Sequence, residues 1–130
     1  MAGYELSSTD KFAFGIWCVM NKGADPFGAA TRQSMSAVDA VKTLARYGAW
    51  GFEAHDNDVY PINATAAQIT KTLKQIKKVM NNTGIVCASF TTNLFYHPAF
   101  KDGAFTSNDP SVRAYAIQKV LIAMDAAAEL

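Results

Sequence analysis

No stretch of about 18 consecutive apolar residues occurs in the chain, which excludes a membrane-spanning helix. Met1 to Asp10 is polar and lacks the apolar segment of a secretory leader, so a cytoplasmic protein is expected. Charge of one sign is missing as well: 12 Lys and Arg against 11 Asp and Glu give a net charge of +1. Such a balance offers no electrostatic footprint, so neither nucleic acid nor an anionic membrane is an expected partner. Cysteine is scarce. Cys18 and Cys87 lie within the apolar runs Trp17-Cys-Val19 and Ile85-Val-Cys-Ala88, which fits buried, reduced thiols rather than a disulfide framework.

What the chain does have is apolar content, 50% over 130 residues, enough for one domain with a core spanning 1–130. Residues 12 to 20, Phe-Ala-Phe-Gly-Ile-Trp-Cys-Val-Met, form an aromatic and β-branched run expected to be the first strand, with Trp17 near its end. Gly, Asp and Pro punctuate Asn21 to Gly28, so Phe27 is expected on a loop, covering its own core edge or touching a partner. Ser36 and Asp39 resemble a capping arrangement for a helix carrying Val38, Val41, Leu44 and Ala45 on one stripe, stopped by Gly48. A second helix from about Thr65 to Asn81 places Ile69, Leu73, Ile76 and Met80 on one stripe, with Lys71, Lys74, Lys77 and Lys78 on a solvated face. Asn82-Thr-Gly84 ends it, and Ile85 to Thr92 reads as another strand. After a long loop with Pro98, Gly103 and Asn108, Asp109-Pro110 starts a last helix to Leu130, with Val112, Ala116, Val120, Met124 and Ala127 expected on its inner stripe.

Between the first two helices, Trp50-Gly-Phe-Glu-Ala54 is too short for a helix and follows a Gly break, so it reads as a buried parallel strand with His55 at its C-terminal end. Ligands of α/β sheets bind just outside those ends. His55 and Asp58 are three residues apart, close enough for the carboxylate to accept the imidazole Nδ1 proton, fix the tautomer and leave Nε2 toward a pocket. The plainer alternative is that His55 caps a turn and Asp58 is solvated.

Three strand-then-helix units with polar residues gathered at strand C-terminal ends indicate an α/β fold with a parallel sheet and right-handed crossovers. Three such strands alone would leave an exposed sheet edge.

Phe14-Gly-Ile-Trp17, Asp25-Pro-Phe-Gly28, His55-Asp-Asn-Asp58, Thr91-Thr-Asn-Leu-Phe95 and the run from His97 to Asp109 occur in one order. Together, from about Asp10 to Leu130, they resemble the N-terminal third of a xylose isomerase of the short, class I type. The resemblance implies a (β/α)8 TIM barrel, usually a homotetramer, of which this chain would hold the first three strand-helix units. It further implies interconversion of the aldose D-xylose with D-xylulose, and of D-glucose with D-fructose. His55 matches the histidine that assists ring opening, and Asp58 the carboxylate that orients it. Trp17 and Phe95 match aromatics walling the sugar pocket, Thr91 a residue beside it, and Phe27 an aromatic donated into a neighbouring subunit's site. The family's hydride shift uses two divalent ions, usually Mg2+ with Mn2+ or Co2+ as substitutes, acting as Lewis acids on the sugar oxygens. By the same resemblance their ligands come from later strands, so no metal ligand is expected here and the chain alone is expected to be inactive. Two positions depart from the family's pattern: Asn57 stands where Asp is common, and Met20-Asn21 where Gly-Trp is common. A complete, non-catalytic partial barrel, acting by association or as a weak sugar-binding module, is the alternative.

Overall fold

A computed structural model describes residues 5–24 and 27–130. Met1 to Tyr4, and Asp25 and Pro26 of the loop motif, lie outside the described residues. The elements run β1 (Ala13–Gly15), α1 (Ile16–Val19), α2 (Ala37–Arg46), β2 (Gly51–His55), α3 (Asp56–Val59), α4 (Ala66–Thr83), β3 (Val86–Thr91) and α5 (Pro110–Glu129), with a 3-10 turn at Pro98–Phe100. The strands form one parallel sheet in the order β1-β2-β3, so each crossover returns the chain beside the strand it has just left. The fold is thus α/β with a small parallel sheet.

Local chemistry sets most of the boundaries. Ser36 Oγ accepts the Asp39 N–H at 3.1 Å to open α2, and Asp39 in the first turn complements the positive helix end. Thr65 and Gln68 form a reciprocal capping box on α4. That helix stops at Gly84, whose φ of +78° is a conformation side chains with a Cβ disfavour; Gly48, at +80°, lies two residues past the end of α2. Asp109 Oδ1 accepts the Ser111 N–H at 2.8 Å, and Pro110 takes the first position of α5, where no N–H is needed.

The core lies between one face of the sheet and the helices. Phe52 and Ala54 of β2 are fully buried there against Val41, Leu44, Leu73 and Ile76, with Cys87 and Phe90 of β3 packed at the margin. Each large apolar side chain so buried contributes about 1.5–3 kcal/mol. Because strand side chains alternate, Glu53 and His55 of β2 lie on the opposite face, and the register sets Ser89 beside Glu53 and Thr91 beside His55. One face is apolar and helix-covered; the other carries Val86 and Ala88 near its start and the polar Glu53, Ser89, His55 and Thr91 toward the strand C-terminal ends.

Three expectations are corrected. Residues 12 to 20 are not one strand: pairing ends at Gly15 and a single helical turn follows, closed by the Met20 N–H on Ile16 O at 2.9 Å. A short apolar run does not distinguish strand from helix by periodicity, and the turn buries Ile16 completely while directing Trp17 outward. Cys18, on that turn, is exposed rather than buried, whereas Cys87 is half-buried. The inner stripe of α5 is Ala116, Lys119, Ala123 and Ala126; Met124 points to solvent at 61% exposure. A helix apolar on all sides leaves its orientation to tertiary packing, and small residues let α5 approach closely. The lysines of α4 are exposed as expected.

Candidate functional site at the end of the central strand

His55 is the last residue of β2 and the N-cap of the one-turn helix α3. That turn brings Asp58 back over the strand end. Asp58 Oδ2 accepts the His55 backbone N–H at 2.8 Å and lies 3.1 Å from Nδ1. A carboxylate in its ionised form only accepts, so facing it Nδ1 is the donor, and in the neutral ring Nε2 is then the acceptor. The two sequence alternatives therefore merge: His55 does cap a turn, but Asp58 is held against it and is only 14% exposed.

Two aromatic rings flank the imidazole. Trp17 lies with its ring centroid 4.5 Å from that of His55, tilted by 50°. Its placement depends on Gly15, where a Cβ would stand 2.3 Å from Cε2 and Cζ2 of the indole. Phe95 meets His55 edge to face, 5.7 Å away at 79°, and Tyr96 extends the aromatic surface at 4.9 Å from Phe95. Thr91 pairs in register with His55 and shares its sheet face. Phe27 is wholly exposed on the loop closed by the Ala24–Ala30 bridge. The sequence-predicted residues Trp17, His55, Asp58, Thr91 and Phe95 thus converge at one strand end, and Phe27 is displayed on a separate loop.

The joining of Asp56 to Lys119 and Asn93 is not legible in the sequence. Asp56 is 1% exposed; Oδ1 accepts the N–H groups of Asn57 and Asn93, both at 2.8 Å, and Oδ2 pairs with the Lys119 ammonium. The available signal was a single cation between Ala116 and Ala123 on an apolar helix, a position tolerable only with a buried partner. A cavity of about 50 Å³ adjoins this pair on the side of Tyr60 and Tyr115, under α5 rather than at His55. Burial, reinforced by the Asp56 charge, pushes the Tyr60 hydroxyl well above its ordinary value.

The residues present do not fit a divalent ion. Asp56 is engaged by Lys119 and two amides, and Asp58 by His55. Among the described residues no group of three or more His, Cys, Asp or Glu side chains is arranged to hold a metal. What the site offers is an imidazole of fixed tautomer between two partly exposed aromatic rings. It suits a ligand with both hydroxyl groups and an apolar C–H face, and transfer of a proton at Nε2. Compared with models of known protein families, the chain matches none. Among the described residues no helix is long and apolar enough to cross a membrane.

Proposed function

We propose that the chain forms the N-terminal part of a (β/α)8-barrel xylose isomerase and contributes the ring-opening half of its sugar site. The observation that carries this reading is the convergence of Trp17, His55 and Phe95 at the C-terminal end of β2, with Asp58 on Nδ1 of His55. These are the residues that the xylose isomerase motifs single out, and the sequential parallel order of the strands suits a barrel. In this role Nε2 of His55 takes and returns a proton at the ring oxygen and anomeric hydroxyl of a cyclic aldose. Asp58 stabilises the imidazolium that forms between the two transfers. Trp17 and Phe95 cover the C–H faces of the sugar and exclude water from one side. Phe27 completes the site of a neighbouring subunit in a homotetramer.

Mg2+ supplies Lewis-acid chemistry to such a reaction when bound, from ligands this chain does not hold, and the chain alone does not isomerise sugar. Half a pocket binds weakly: a millimolar dissociation constant, about 4 kcal/mol, is expected. Titration of the labelled chain with xylitol, followed by NMR, tests this. Millimolar shifts confined to Trp17, His55, Thr91 and Phe95 are expected; shifts elsewhere, or none, would count against a sugar site.

The exposed Ile117, Leu121 and Met124 on α5 favour a second reading, an association module that pairs with a partner bearing further strand-helix units. Sedimentation of the purified chain distinguishes a self-associating module from a monomer.

A further inference from the structure

The Phe95 ring is 61% exposed, and residues 92–97 belong to neither helix nor strand. Packing does little to hold it, yet it stands edge-on to His55. Its backbone is held instead. The Asn93 side chain, 3% exposed, accepts the N–H groups of Phe95 at 3.3 Å and Tyr96 at 3.0 Å, turning the chain directly after β3. Asn93 is itself fixed by its own N–H on Asp56 Oδ1, and Asp56 by Lys119. A carboxylate so buried cannot swing to another partner without leaving the ammonium uncompensated. We infer that Lys119, Asp56 and Asn93 form a positioning relay through which helix α5 sets the Phe95 wall against His55. The name of the wall, one side of a sugar pocket, rests on the proposed function; the relay itself does not.

Asp56 stands next to His55 in the chain, so one buried carboxylate anchors both partners of the ring contact: His55 through the start of α3, and Phe95 through Asn93. Trp17 reaches His55 from a separate segment, through Gly15 and α1. The two aromatic contacts are therefore separable. Breaking the relay removes one and spares the other.

Nuclear Overhauser spectra of the labelled 130-residue chain read both contacts without any ligand. Wild type is expected to give His55–Trp17 and His55–Phe95 cross-peaks. Asn93→Ala is expected to lose the Phe95 set and keep the Trp17 set, and Lys119→Met to do the same. Unchanged His55–Phe95 cross-peaks in Asn93→Ala would overturn the proposal; loss of both sets together in a variant whose amide spectrum shows it still folded would also overturn it. Amide hydrogen exchange on wild type decides the case where the variants do not fold: protection of Asn93, Phe95 and Tyr96 above that of exposed loop amides is expected, and its absence would overturn the relay. Because no sugar enters these measurements, a chain that neither binds nor isomerises sugar can still carry the relay.

Discussion

Gly15→Ala separates the pocket from the fold. The backbone at Gly15, φ −63° and ψ 124°, is ordinary extended geometry that alanine adopts freely. The new methyl, however, would lie 2.3 Å from two indole carbons of Trp17. Non-bonded carbons settle at about 3.5–4.0 Å, so the indole must retreat by roughly 1.2–1.7 Å. A displacement of that size changes its contact with His55, which is 4.5 Å between centroids. Losing the aromatic pair costs about 0.5–1.5 kcal/mol. Restricting the unfolded chain by replacing glycine returns about 0.4–1 kcal/mol. The two terms nearly cancel, so the melting temperature is a poor reporter and the pocket must be read directly. The expected outcome is a Tm within a few degrees of wild type, altered near-UV circular dichroism, and loss of the His55–Trp17 Overhauser contacts in a Trp50→Phe background. An unchanged His55–Trp17 contact would refute the claim that Gly15 places the indole.

Other outcomes follow from particular groups. Lys119→Met leaves Asp56 buried and unpaired and is expected to cost about 3–5 kcal/mol in urea unfolding, whereas adding Asp56→Asn recovers much of that loss. An alkylating reagent at pH 8 is expected to modify the exposed Cys18 within minutes and to spare Cys87, whose thiol burial pushes up to about 11; mass spectrometry locates the adduct. Hydrogen bonds from Ser111 hold the Asp109 carboxyl below its ordinary 3.8, so its contribution to stability is present above that value and is lost as pH falls through the lower folded value. Asp109→Asn should therefore flatten the acid limb of the stability curve, measured by urea unfolding at successive pH values.

The sequence made local signals legible and long-range ones obscure. Ser36 with Asp39, Gly84, and Asp109 with Pro110 act within one helical turn of the chain, so neighbouring residues suffice to read them. The same is true of His55 and Asp58, whose contact spans three residues. Asp56 and Lys119 are 63 apart and meet only because the chain, after β3, lays α5 against β3 and α4, where Lys119 reaches the start of α3. The apolar flanks of Lys119 call for a buried partner, but nothing in them says that the partner is Asp56. On α5, Ala123 and Met124 both satisfy an apolar pattern, and the choice between them was made by how closely the helix approaches its neighbours. The resemblance places Trp17 beside the site, but the sequence does not reveal the turn that carries it, because a single helical turn is shorter than any window in which periodicity speaks.

The most direct test of the sugar-site reading is a xylose-to-xylulose assay with excess Mg2+ on the purified chain, with and without a polypeptide supplying the remaining strands of a class I xylose isomerase. Activity only in the mixture, lost when His55 is replaced by Gln, is the expected result. Turnover by the 130-residue chain alone, or a reconstituted enzyme indifferent to His55→Gln, would contradict it.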